Sequence, residues 1–411
     1  MSLIFDLETN GLLDQLDTIH CIGILDTESN EGAEVYHGED IPKVLERLSK
    51  ADEIIGHNIL GFDIHAIKKV YPEWTYQGKP TDTLVLSQLF HADLVAEDSA
   101  KLNAGEVLPR NLWGRHSLKS WGIRMGTMKG DYDGGWEELN DDMLVYCKQD
   151  VTVTYLLYKK LMVDGQIFSQ RSIDLEHSMA EVCDRIGNNG WTFDTEAAGA
   201  LYADLAQKRS DLERELAVLF EPWEVHTEFL PKRDNKTLGY VKDEPFTKVK
   251  VVEFNPSSRK HIQYCLQKKY GWKPKEFTNS GDAKVDEAVL SKLEYPEAKK
   301  LAMMFLLTKR IAALAEGKQA WLKLCGLDGK LRHRIIPGGT VSGRASHRSP
   351  NLAQVPSTRS AYGRECRDLF TAPKGWIICG SDLSGIELRC LAHYLDDGGE
   401  YAKQILEGDI H

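Results

Sequence analysis

Short runs rich in Ile, Leu and Val at 2–7 (SLIFDL), 19–25 (IHCIGIL) and 53–56 (EIIG) predict buried strands. Apolar positions at helical spacing follow at about 41–50, 62–70, 81–92 and 140–162. Strands first and helices interleaved after them predict an α/β domain over residues 1–165. From about 170 to 220 the period is helical, with Ile173, Leu175, Met179, Val182, Cys183 and Ile186 on one stripe. Asn188-Asn189-Gly190 breaks that helix, and Asp194-Thr195-Glu196 opens the next. Residues 221–253 are polar, hold three prolines and keep no period, which predicts an exposed excursion. Helices resume at 256–269 and 283–323, giving a mostly helical second domain over 166–327. The remainder, 328–411, reads as α+β, with a glycine turn at Pro337-Gly338-Gly339 and a strand at Trp376–Asp382.

A chain of 411 residues, 42% hydrophobic and 27% charged, has the balance of a multidomain globular protein. No apolar run approaches the ~20 residues of a membrane span. The start MSLIFDLETN has neither a basic n-region nor a cleavage pattern, so a cytoplasmic location is expected. The eight cysteines form no metal-binding spacing and are expected to be reduced thiols. A net charge of −11 argues against nucleic-acid binding at first sight, but its distribution reverses that inference. Lys330, Arg332, Arg334, Arg344, Arg348, Arg359, Arg364 and Arg367 share their segment with a single acid, Glu365, for a local net charge of +7. Such a block is a candidate anion-binding surface.

Asp6 and Glu8 stand two apart on a predicted strand, so both project from one face. Two carboxylates on an apolar strand repel each other and lose hydration, and a divalent cation offsets both costs. Hard oxygen donors of this kind suit Mg²⁺ or Mn²⁺ rather than zinc. Gly56-His57-Asn58-Ile59-Leu60-Gly61-Phe62-Asp63 follows a buried strand and places Asp63 at a helix start, where the helix dipole alone also explains an acid. Tyr146 and Asp150 are four apart, on one helix face. In a metal site Asp150 is a ligand and the Tyr146 hydroxyl orients an attacking water. The plainer alternative is a solvent-facing acid beside a core tyrosine.

Toward the other end, Val341–Pro356 is an irregular, polar, basic stretch, followed by Arg359, Arg367 and the turn Ser381-Asp382-Leu383-Ser384-Gly385. Guanidinium groups there suit phosphates, while the amides of Asn351 and Gln354 suit base edges. Asp382 has the placement of one half of a two-metal site, but no second acid for it is identified after Arg389.

The acid and tyrosine set resembles the three exonuclease motifs of ribonuclease H-like 3′–5′ exonucleases. That likeness implies two metal ions held by Asp6, Glu8, Asp63 and Asp150, with Tyr146 as the water-orienting group. The segments SGRASHRSPNLAQVP, YGRECRDLF, SDLSGIELRCLAH and EGDIH resemble family A (Pol I-type) DNA polymerases, most closely the T-seven-type bacteriophage group. So do LEHSMAEVCDRIGNNGWTFD, FNPSSRKHIQ and KRIAALAEGKQAWL, and the likeness covers nearly all 411 residues. It implies a ribonuclease H-like exonuclease domain, a helical thumb and the first part of a palm. In that family the aspartate matching Asp382 binds the catalytic metals, and the glutamate matching Glu387 lies under the incoming sugar. The arginine matching Arg344 reads the minor groove at the primer end. Lys309 and Arg310, at the thumb position, are expected to contact primer–template phosphates.

Two departures follow. The family's fingers helix and its later His-Asp-Glu hairpin are absent, so synthesis is expected to need a second chain supplying fingers and the remaining palm. The excursion at 221–253 is much shorter than the phage insertion that captures thioredoxin, which argues against a thioredoxin-type processivity factor. The expected partners are primer–template and single-stranded 3′ ends of DNA. The alternatives are a free-standing 3′–5′ exonuclease whose thumb and palm only grip DNA, and a non-catalytic DNA-binding scaffold for a partner polymerase half. A missing remainder of the palm sheet predicts an unpaired edge at Trp376–Asp382, with Ile377, Ile378, Leu388 and Leu391 facing water or a partner.

Overall fold

A computed structural model describes the whole chain apart from residues 30, 104–107, 128, 129, 131, 279, 396–398 and 408–411. Of the terminal EGDIH motif, only Glu407 lies within the described residues. Three strands, β1 (Ser2–Thr9), β2 (Ile19–Asp26) and β3 (Glu34–His37), run antiparallel. After α1 (Ile41–Lys50), β4 (Glu53–Gly56) joins β1 in parallel, and after α2 (Asp63–Val70), β5 (Lys79–Asp82) joins β4 in parallel. The five-stranded order is therefore β3-β2-β1-β4-β5. β1 and β2 are interior strands covered on both faces, which is why they read as continuous apolar runs.

Alternation along β1 sorts its side chains. Leu3, Phe5 and Leu7 pack with Ile22, Ile24, Val44, Leu48 and Ile67 beneath α1 and α2. Ile4 packs on the opposite face with Ile55 and Val151. Val151 belongs to α6 (Asp141–Asp164), which follows α3 (Thr83–Phe90), α4 (Leu94–Asn103) and α5 (Leu118–Arg124). Asp6 and Glu8 share the parity of Ile4 and so project on the α6 side. Gly23, opposite Asp6 in the register, makes this approach possible. A Cβ there would lie 2.7 Å from Val151 Cγ2 and 3.1 Å from Cys147 Sγ.

The predicted helical stretch is formed by α7 (Gln170–Asn189) and α8 (Thr195–Leu219), joined by the short β6 (Trp191–Phe193). The excursion is a two-stranded antiparallel ribbon of β7 (Trp223–Phe229) and β8 (Phe246–Val252), exposed over most of its length. The helix expected at 283–323 is not continuous. After α9 (Arg259–Tyr270), it divides into α10 (Glu287–Ser291) and α11 (Pro296–Ile311), and Pro296 occupies the first turn of α11, where its missing N–H costs nothing. α12 (Trp321–Leu324) follows.

In the last stretch, β9 (Lys330–Leu331) joins β6, and β10 (Arg334–Ile336) pairs with β11 (Ser346–Arg348). α13 (Gly363–Asp368) leads to β12 (Phe370–Thr371), giving a small sheet of order β12-β6-β9. The strand expected at Trp376–Asp382 does not form. Among the described residues its backbone pairs with no strand, and Trp376 and Ile377 are 75% and 88% exposed. Ile378 and Leu391 are exposed too, and Leu388 is half-buried. α14 (Ile386–Leu395) and α15 (Glu400–Glu407) are the last elements among the described residues.

Candidate active site

The sheet and α6 bring Asp6, Glu8 and Cys147 together, with one ligating atom from each lying within 4.8 Å of the others. Glu8 is buried at 7% exposure, whereas Asp6 keeps partial access to solvent. Asp63 joins the group through the backbone. Its carboxylate accepts the N–H of Leu7, the residue between the two strand acids. Burial first, and then the neighbouring Asp82 carboxylate, push the Asp63 carboxyl up to about 7. Asp150 is also buried, on the face of α6 that carries Cys147, Val151 and Thr154 toward the sheet. The plainer alternative, a solvent-facing acid, does not describe it.

Tyr146 is half-buried and packs against Tyr132 and Trp136, at ring-centroid distances of 5.6 Å and 6.3 Å. Trp136 is itself exposed, and its carbonyl is bonded to His20 Nε2 at 2.9 Å. These rings place an aromatic rim beside the acids.

Three features of this site carry no signal of their own in the sequence. Cys147 reaches the acid pair only because α6 crosses β1, where its thiol donates to the Asp6 carbonyl at 3.7 Å. Contact with Cys21, together with burial, holds that thiol well above its ordinary value, and a hard cation prefers the oxygen donors beside it. Asp82 ends β5 and accepts N–H groups from Asn58 (2.8 Å), Leu60 (3.1 Å) and Leu84 (2.9 Å). It thereby fixes the loop that delivers Asp63. His177 completes the arrangement: Nδ1 donates to the Ile173 carbonyl at 2.8 Å and Nε2 accepts the Asp82 N–H at 2.9 Å.

The donor set fits hard divalent cations. Glu8, Asp63 and Asp150 are buried carboxylates, and of the four expected ligands only Asp6 and Glu8 fall in the close cluster found among the described residues. Burial and the neighbouring Asp82 carboxylate raise the Asp63 carboxyl, a cost that a bound cation would offset as well as a proton does.

The other expected site is not assembled in the same way. Asp382 is exposed, stands outside any strand, and belongs to no cluster of three or more ligating side chains among the described residues. Glu387 is ion-paired with Arg344, and both are exposed. Gln354, Arg359 and Lys309 are exposed, as is Arg367, whose Nε donates to the Pro356 carbonyl at 2.7 Å. Asn351 is half-buried, and its Oδ1 has no hydrogen-bond partner among the described residues. Arg310 departs from expectation. It is 9% exposed and donates weakly to the Ala361 carbonyl (3.4 Å) and Ser360 Oγ (3.5 Å), so it ties α11 to the loop before α13 instead of facing a phosphate.

Residues 3–162 match the RNase_H superfamily. That assignment agrees with a 3-2-1-4-5 sheet bearing an acid pair on its central strand. Residues 230–411 match DNA polymerase family A. The chain is 35% identical to the DNA-directed DNA polymerase of Escherichia phage T7, covering 100% of this chain and 72% of that one. The same figures hold for the enzyme of Enterobacteria phage T3. DNA polymerase I of Aquifex aeolicus is 26% identical over 96% of this chain and 60% of its own length. Among solved structures, the polymerase domain of Pol1 from M. smegmatis, in complex with a DNA primer-template and dNTP, has a similar fold. Its TM-score is 0.67 at 16% identity, with 99% of this chain and 62% of that chain covered. The chain belongs to DNA polymerase family A.

Proposed function

We propose that this chain is part of a phage replicative DNA polymerase and carries its 3′–5′ proofreading exonuclease. In this reading, residues 1–165 are the exonuclease domain, 166–327 the thumb with its ribbon at 221–253, and 328–411 the first part of the palm. The observation that carries it is the convergence of Asp6 and Glu8 with α6, backed by Asp63 on the Leu7 amide. Two Mg²⁺ or Mn²⁺ ions held by Asp6, Glu8, Asp63 and Asp150 would neutralise the terminal phosphodiester and acidify an attacking water. The Tyr146 hydroxyl orients that water, and the Tyr132–Trp136 rim offers ring faces to the unpaired 3′ bases. Digestion of single-stranded DNA with Mg²⁺ tests the reading. Asp6→Ala is expected to lower the rate by at least about a hundredfold. A wild-type protein that never cuts would favour the scaffold alternative.

Template-directed synthesis in this proposal uses Asp382, Glu387 and Arg344 together with a second chain that supplies fingers and the rest of the palm. The apolar surface at Trp376, Ile377 and Leu391 supports it, because an exposed face of this kind marks an interaction site. Primer extension measured with and without such a chain decides the matter. Extension that appears only on mixing supports the split enzyme, while none under any pairing leaves a free-standing exonuclease.

A further inference from the structure

Apart from the acid centre, two arginines face each other with no ion-paired acid among the described residues. In the β10–β11 ribbon, Arg334 stands directly opposite Arg348. Directly opposed side chains of an antiparallel pair leave the same face with Cβ atoms about 5 Å apart, and like charges there are destabilising. Burial, and then Arg334 itself, hold the Arg348 guanidinium below its ordinary value. Neighbouring arginines are neutralised: Arg332 pairs with Asp328 at 2.6 Å, and Arg344 pairs with Glu387. Among the described residues, Arg334 and Arg348 have no such partner.

The ribbon lines a cleft of about 570 Å³, and so do two segments next in sequence to the acids. They are Leu12–Asp14, just beyond β1, and Asn58, Leu60, Gly61 and Phe62 of the loop that enters Asp63. Arg334 reaches across: a Cβ on Gly61 would sit 3.3 Å from its Nη2. Two of the acids lining the cleft are already engaged. Asp82 is held by three backbone N–H groups, and Asp184 by His65 at 2.7 Å and Asn188 at 2.9 Å. Asp14 lies exposed at the rim. His333, which also lines the cleft and stacks on His347, is 5% exposed, and its Nδ1 has no hydrogen-bond partner among the described residues.

We propose that this cleft is a phosphodiester subsite, in which Arg334 and Arg348 jointly hold one backbone phosphate of a single strand whose 3′ end lies at Asp6 and Glu8. The inference rests on the exonuclease reading above. Two planar guanidinium forks donate to the non-bridging oxygens, and the bound anion removes the repulsion that the bare pair suffers. The contact is blind to sequence, as removal of any mispaired base requires.

The test uses the full chain and an oligothymidylate. Binding is followed by fluorescence anisotropy in EDTA across a salt series, for wild type, R334A/R348A and R334K/R348K. The alanine pair should bind about tenfold more weakly, and its slope of log affinity against log salt should flatten by about 0.7, the value for one phosphate of a single strand. The lysine pair, a control for folding, should keep the wild-type slope while losing part of the affinity. Wild-type affinity and slope in the alanine pair would overturn the subsite. Hydrolysis of thymidine 5′-(p-nitrophenyl phosphate) by the wild type with Mg²⁺ reports on the acid centre separately. Its absence would count against the exonuclease reading, and the anisotropy result would still decide the subsite.

Discussion

A carboxylate buried among others holds either a proton or a cation, and in this chain that choice falls on Asp63. Its folded value of about 7 lies far above the ordinary 3.8, so the native state binds more protons than the unfolded chain between those limits. Stability from this group is fully present below about pH 3.8 and is lost as pH rises through about 7. In EDTA the melting temperature should therefore fall between about pH 4 and pH 7, and Mg²⁺ should restore it at the upper end. Asp63→Asn should remove most of that fall. An unchanged slope in the variant would place its source elsewhere. Tyr146 poses a different question, since its ring packs on Tyr132 while its hydroxyl has the proposed chemical role. Tyr146→Phe keeps the packing and should lower kcat on single-stranded DNA by about tenfold to a hundredfold without shifting the melting temperature. A matching loss of stability would mark the residue as structural.

Between elements, the tie that positions α4 on α5 is a charge pair. Arg124 and Asp98 have side chains 2% and 1% exposed, joined at Nε–Oδ1 2.8 Å and Nη2–Oδ2 2.9 Å. Burial alone would push the Asp98 carboxyl up, but Arg124 and the Gly114 N–H hold it below its ordinary value. Removing one partner strands a buried charge, so Arg124→Met should cost about 3–5 kcal/mol in urea unfolding. Adding Asp98→Asn should recover much of the loss, and a double variant no better than the single one would refute the account. What could be read from the sequence divides along similar lines. β1, β2 and β4 were legible because interior strands are mostly apolar. β3 (EVYH) and β5 (KPTD) were not, since they are four-residue edge strands, half-exposed or proline-bearing, and exist through pairing with β2 and β4. Asp6 and Glu8 were legible from alternation alone. The Asp63 contact with the Leu7 amide and the approach of Cys147 depend on how α2 and α6 cross the sheet, which no local pattern encodes.

At the scale of the whole molecule, order is distributed unevenly. β2 is buried at all but its last residue, whereas Trp376–Asp382 is exposed throughout and makes no strand pairing. Amides exchange in proportion to how easily their hydrogen bonds open, and residues outside ladders and cores open with least cost. Hydrogen exchange should therefore be slowest at Ile22–Ile24 and among the fastest at Ile377–Asp382. Single-stranded DNA with Ca²⁺ in place of Mg²⁺ should slow exchange around Asn58–Asp63 and leave Ile377–Asp382 unchanged. A chain bearing fingers and the rest of a palm should do the reverse, because a strand becomes protected only when another strand takes up its N–H groups. Strong protection of Ile377–Asp382 in the isolated chain would mean that this segment already has its partner. The apolar surface around it would then offer no seat for a second chain, and the split-enzyme reading would lose its support.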